Sequence, residues 1–184
     1  MASRKASRPK AQEGRVGESM FILRLVRWGD LFSLLNAACG MLAIMLSIGR
    51  RLDIAVGLLL AAVFFDAIDG KVARWTGPGV LGKHLDSLAD MVSFGVAPAI
   101  FAYSLYPIGI APVIYVIFVM AGALRLARFN AAGGGGAFAG MPITANGIIV
   151  PFLYVVGFDA HLLPFFFVIL SFLMVAHFRL KKIV

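Results

Sequence analysis

Cysteine is almost absent. Cys39 is the single one in 184 residues, so no intrachain disulfide can form and a disulfide-stapled fold is excluded. It sits inside an apolar run and reads as a small packing residue. Charge is also scarce, since Asp, Glu, Lys and Arg make up 14 % of the chain, against about 25 % in a soluble domain. The first 20 residues lack a short apolar core followed by a small-residue cleavage site, so no cleavable signal peptide is expected. No internal repeat is visible. The formal charge of +8 would suggest nucleic acid in a soluble chain. Here no basic stretch is interleaved with stacking aromatics, and nucleic acid is not expected as a partner.

Apolar residues are what the chain has in excess. They make up 61 % of it, with a mean hydropathy of +0.93. Runs approaching 20 apolar residues are long enough to cross a bilayer. The expected fold class is therefore all-α, a polytopic membrane protein. Six spans are expected, at about 31–49, 53–75, 83–106, 109–131, 142–158 and 160–178. Residues 1–20, rich in Ser, Pro, Gly, Lys and Arg, read as a disordered tail. Across 21–29, Phe21, Ile22, Leu25 and Trp28 share one helical face, and Arg24 and Arg27 the other. That pattern predicts a short amphipathic helix in the headgroup layer, leading a membrane domain over 21–182. Ala131 to Gly140, with four consecutive glycines, reads as a flexible connection.

Charge bias sets an expected orientation. With the N-terminus cytoplasmic, every Lys and Arg except Arg50 and Arg51 falls on the cytoplasmic side. Both termini and the charged stretch 66–90 are then cytoplasmic.

Chemistry concentrates between Phe65 and Pro98. Asp66 and Asp69 are three residues apart, and Asp86 and Asp90 four apart, so each pair shares a helix face. A carboxylate inside a membrane costs about 2.5–3.5 kcal/mol on insertion scales, and four together repel unless cations neutralise them. Carboxylate oxygens suit hard divalent ions, and two such ions can clamp a phosphoryl group in displacement. Gly70, Ala73 and Gly82 remove side-chain bulk beside these acids, and Arg74 offers a planar cation suited to phosphate. Two other readings stand beside this one: interfacial acids paired with Lys71, Arg74 and Lys83, and a proton or ion path in a non-enzymatic carrier.

The order Asp66-x-x-Asp69-Gly70-x-x-Ala73-Arg74, then Gly82-x-x-x-Asp86-x-x-x-Asp90, resembles the signature of the CDP-alcohol phosphotransferases. Seven residues separate Arg74 from Gly82 where the family usually has eight, a difference that the turn from Thr76 to Gly79 can absorb. The flanks LDSLADMVSFGVAPA (85–99), GALRLARFN (122–130) and FAGMPITA (138–145) resemble the serine-accepting members. The resemblance spans roughly residues 30–182. Many members carry Pro-Asn near the start of span one, and Gly29-Asp30 here is similar instead to archaeal relatives acting on ether lipids.

This resemblance implies a six-helix membrane enzyme of phospholipid biosynthesis, a homodimer with a cytosol-facing cavity. CDP-diacylglycerol or CDP-archaeol would react with L-serine and release CMP, using Mg²⁺ or Mn²⁺, two ions in all. Asp66, Asp69, Asp86 and Asp90 would hold metal. Asp66, Asp69, Gly70, Ala73, Arg74 and Gly82 would contact the CDP moiety, and Asp90 would be the general base. A sibling using glycerol phosphate or inositol phosphate as acceptor remains the alternative. Arg125 and Arg128, three apart in span four, are candidates for the diphosphate or the serine carboxylate, with membrane anchoring as the other reading. Ser87 and Ser93 flank the last two acids and are candidate acceptor contacts. Asn130 reads as a helix cap, and Asn36 as either cavity lining or a helix–helix hydrogen bond. His84, His161 and His177 show no metal-ligand spacing.

Overall fold

The computed structural model describes residues 28–76, 82–131 and 140–176. The expected tail, most of the amphipathic stretch, the turn after Thr76, the glycine run and the last eight residues lie outside these. Among the described residues seven α-helices follow in order: α1 Trp28–Ile48, α2 Leu52–Thr76, α3 Gly82–Asp90, α4 Ala97–Leu105, α5 Ala111–Ala131, α6 Asn146–Val155 and α7 Leu163–Val175. A π-helical segment, Met91–Val96, joins α3 to α4 without a break. Short 3₁₀ turns, Ile143–Ala145 and Ala160–Leu162, lead into α6 and α7. Among the described residues there is no strand.

Among the described residues, three stretches are long and apolar enough to cross a membrane: Gly29–Ile48, Gly82–Leu105 and Ala111–Ala131. Ile143–Val155 and Ala160–Val175 are apolar but shorter. α2 has the length, at 25 residues, but its second half carries Asp66, Asp69, Lys71 and Arg74. The chain is a helical membrane protein. Its outward surface agrees, because Leu34, Met41, Met45 and Ile48 on α1, Val116 and Met120 on α5 and Phe165 and Phe172 on α7 are all exposed. Such side chains suit hydrocarbon and would burden a soluble surface.

Helices in lipid gain little from hydrophobicity against one another, so close packing and small residues hold them together. α1 and α2 form the most extensive helix pair and α5 with α7 the next. The α1–α2 turn has a Schellman pattern, in which Arg50 N donates to Ser47 O at 3.1 Å and Arg51 N to Leu46 O at 2.8 Å. The left-handed position belongs to Arg50, with φ of 60°, where glycine is the usual occupant. Its guanidinium donates to Ser104 O, a contact glycine could not make.

The π segment has a readable cause. Pro98 has no N–H, so it cannot donate to the carbonyl four residues back, that of Phe94. Phe94 O instead accepts from Asn146 Nδ2 at 3.3 Å, while Ala97 N reaches back to Val92 O in the wide register. Asn146 is fully buried for this task. Two glycines clamp the segment from either side. A Cβ on Gly40 of α1 would lie 2.7 Å from Ser93 Cα, and one on Gly147 of α6 would lie 2.6 Å from Phe94 Cε1.

Candidate active site

Antiparallel pairing in the α1–α2 hairpin returns the acid-bearing end of α2 to the start of α1. α3 packs on the same end of α1. This arrangement turns two sequence-local acid pairs into one cluster. Oxygens of Asp66, Asp86 and Asp90 lie within 4.8 Å of one another. Asp66 and Asp90 are close enough to share a hydrogen bond. Asp69 lies within electrostatic reach of Asp86, and its carboxylate accepts from Ser33 Oγ of α1.

Among the described residues, no ion pair closes on these four carboxylates. Lys83 is committed elsewhere. Its Nζ donates to Asn130 O at 3.1 Å and sits 5.8 Å over the Phe129 ring. Buried like charges this close call for a cation to bind between them. The donor set is all oxygen and comes from two rigid helices, which fits a hard divalent ion.

Other candidates fall into distinct environments. A Cβ on Gly70 would meet nothing within 4 Å among the described residues, so that face of α2 is open toward them beside the acids. Gly82 differs, since a Cβ there would stand 3.0 Å from Asp30 Oδ1. Its smallness therefore also serves the protein's own packing. Ala73 and Arg74 lie in the last turn of α2, but their side chains fall outside the described part.

Arg125 and Arg128 separate. Arg125 is close enough to Asp90 for their charges to interact, and its buried Nε has no hydrogen-bond partner among the described residues. Arg128 Nη1 donates to Val175 O at 3.2 Å, at the end of α7. Ser87 and Ser93 are both engaged within the protein. Ser87 Oγ accepts from Asn130 Nδ2 at 2.9 Å and donates to Lys83 O at 3.0 Å. Ser93, fully buried, donates to Asn36 O at 2.8 Å. Asn130 thus bridges α5 to α3 through its side chain.

Two residues of α1, Asp30 and Ser33, were not foreseen as part of the site, and a third, Asn36, was read as either cavity lining or a helix–helix hydrogen bond. Asp30 is buried, within electrostatic reach of Asp69. Ser33 holds Asp69, and Asn36 Nδ2 donates to Asp90 Oδ1 at 3.3 Å. The available signal was their spacing, because 30, 33 and 36 fall three apart in an otherwise apolar stretch.

The sequence profile described as CDP-alcohol phosphatidyltransferase matches residues 28–179. The chain belongs to this family. It is therefore a transferase of phospholipid biosynthesis. Archaetidylserine synthase from Methanothermobacter thermautotrophicus is 42 % identical over 165 residues, covering 84 % of this chain and 69 % of that protein. CDP-diacylglycerol–serine O-phosphatidyltransferase from Methanocaldococcus jannaschii is 39 % identical over 133 residues, covering 71 % and 62 %. The enzyme of that name from Helicobacter pylori is 34 % identical over 165 residues, covering 82 % and 70 %. The chain thus spans about two thirds of the length of these relatives. The segment from Asp66 to Asp90, whose acids converge in space, lies within the matched residues.

Proposed function

We propose that this protein transfers a phosphatidyl or archaetidyl group from a CDP-linked lipid to the hydroxyl of L-serine, releasing CMP. The observation that carries the reading is the convergence of Asp66, Asp86 and Asp90 within 4.8 Å. The names of the three relatives, all serine-directed synthases, support serine as acceptor.

The chemistry follows from the residues. Asp66, Asp86 and Asp90, with Asp69 beside them, would hold the divalent ions. When bound, these supply charge neutralisation for the diphosphate and for the leaving phosphate. Asp90 accepts the proton from the serine hydroxyl. The serine oxygen forms its bond to the lipid-bearing phosphorus, and the bond from that phosphorus to the bridging oxygen breaks. The electron pair leaves on the bridging oxygen, which departs as part of CMP. Arg125 binds an anionic group of the substrates near Asp90, and we assign it to the serine carboxylate. The open face at Gly70 admits the nucleotide. Six spans with both termini cytoplasmic place this chemistry where water-soluble CMP can leave and serine can enter.

The test is product analysis. Purified protein is incubated with CDP-diacylglycerol or CDP-archaeol, Mn²⁺ or Mg²⁺, and serine, glycerol phosphate or inositol phosphate in turn. The expected result is a serine lipid and an equivalent of CMP. A glycerol phosphate or inositol phosphate product without a serine product would move the chain to a sibling activity. No CMP with any acceptor would sink the transferase mechanism.

A further inference from the structure

Asn36 is fully buried in α1, among leucines and alanines, in a stretch facing lipid on its other side. Its side chain touches one polar group of the site, donating from Nδ2 to Asp90 Oδ1 at 3.3 Å. Turned the other way, the amide would set its oxygen against the carboxylate, so this orientation is the favourable one. Oδ1 is then left buried with no hydrogen-bond partner among the described residues.

A residue serving only as packing would not carry that cost, because leucine of similar volume fits such a position without an orphaned oxygen. Nor is Asn36 needed to tie α1 to the π segment. That contact is already made by its own carbonyl, which accepts from Ser93 Oγ at 2.8 Å. One turn on, Gly40 lets the backbones close, since a Cβ there would lie 2.7 Å from Ser93 Cα. The register of α1 against the π segment is therefore set by Ser93 and Gly40. That register aims the Asn36 amide at Asp90.

We propose that Asn36 is a positioning residue for Asp90: it pins one carboxylate oxygen so that the other is presented to the serine hydroxyl. The inference rests on the reading of Asp90 as general base. Ser33 does the equivalent for Asp69 one turn earlier. α1 thereby holds one acid from each of the two acid-bearing helices. With the amide gone, the carboxylate turns freely about its terminal bond and the proton acceptor loses its aim. Partners that orient catalytic groups in this way typically carry 10–100-fold of activity when removed.

The experiment compares Asn36→Leu, which deletes the donor at similar volume, with Asn36→Asp, which keeps the shape and sets acceptor against acceptor. Asn36→Ala serves if the leucine variant does not fold. Each is measured for thermal midpoint in detergent, Mn²⁺ binding by the loss of the free-ion signal in electron paramagnetic resonance, and kcat and KM for both substrates. Asn36→Leu should lose 10–100-fold in kcat, with KM for CDP-diacylglycerol and Mn²⁺ affinity both within about threefold of the parent. Asn36→Asp should lose at least as much. A kcat within twofold of the parent in a folded Leu or Ala variant overturns the proposal. So does a loss in which Mn²⁺ affinity, CDP-diacylglycerol KM and thermal midpoint all fall together, since that is collapse of the cluster. Failure of the underlying reading has a different signature: Asp90→Asn would itself turn over normally.

Discussion

The two ends of the helix bundle handle polar groups in opposite ways. At the end carrying the α1–α2 turn, Arg50, Asp53 and Asp159 each have a local partner. Arg50 donates to Ser104 O, Tyr154 Oη donates to Asp53 Oδ1 at 2.9 Å, and Asp159 Oδ1 accepts from His161 N at 3.0 Å. At the other end, Asp66, Asp86 and Asp90 converge, with Asp69 and Asp30 nearby, and no ion pair among the described residues closes on Asp66, Asp69, Asp86 or Asp90. Paired groups at a membrane boundary finish helix ends and fix loops. Gathered charges of one sign raise the energy of the apo fold, a cost that the proposed binding of a cation and a substrate would offset. The difference supports the proposed site without reference to any relative.

The comparison breaks most sharply on sidedness. If the acid end is cytoplasmic, cysteines introduced at positions 10 and 182 should be labelled from that side only. One at position 50 should be labelled only from the opposite side, in a Cys39→Ala background. The effect is all-or-none. Labelling of 10 and 182 from different sides would mean an odd number of spans.

The next largest effect is on turnover. Asp66→Asn or Asp86→Asn removes a charged oxygen from the cluster, and should abolish measurable turnover and weaken Mn²⁺ binding. Asp90→Asn should lower kcat by roughly 10²–10⁴-fold, the usual range for loss of a general base, while CDP-lipid binding survives. Near-normal turnover in Asp90→Asn would remove it from that role. Stability is read alongside, and its direction is informative: relieving repulsion should leave Asp86→Asn at least as stable as the parent without metal.

Much of this contrast was legible in the residues, for reasons that also explain what was not. Asp66, Asp69, Asp86 and Asp90 stand out because acids at helical spacing inside apolar runs are expensive. The long runs fixed the helices to within a few residues, α2 at 52–76 against an expected 53–75. The π segment was not legible, because it needs Pro98 together with Asn146, nearly 50 residues on. Asp30 and Ser33 were not singled out, and Asn36 was left between cavity lining and a helix–helix hydrogen bond, because each is unremarkable alone. They matter only once α1 is folded against α2 and α3. Ser87 and Ser93 looked like substrate contacts by proximity in sequence, yet both hydroxyls bond to protein groups.

Arg125 and Arg128 sharpen the comparison within a single helix. Their spacing puts both near one face, but α7 ends beside Arg128 and the acid cluster lies beside Arg125. Arg125→Ala should raise KM for serine about 10–150-fold, which corresponds to roughly 1.5–3 kcal/mol for a charge-assisted hydrogen bond, with a smaller change for CDP-lipid. Arg128→Ala should act mainly on the thermal midpoint. Equal effects of Arg125→Ala on both substrates would place that guanidinium on the diphosphate.

The smallest effect belongs to the paired end. Tyr154→Phe removes the hydroxyl that donates to Asp53 and keeps the ring, which packs edge-on against Phe101 with centroids 5.3 Å apart. The lost bond is at an exposed site, where water replaces the missing donor, so about 1 kcal/mol or less of stability should go. Turnover should stay within twofold, since Tyr154 lies at the end of the bundle remote from the acids. A tenfold loss of kcat with an unchanged thermal midpoint would mean that the hydroxyl-to-carboxylate pair at one end sets the geometry of the cluster at the other. α2 carries both Asp53 and Asp66, so it is the element through which such coupling would have to run. The division into a finished end and a working end would then be wrong.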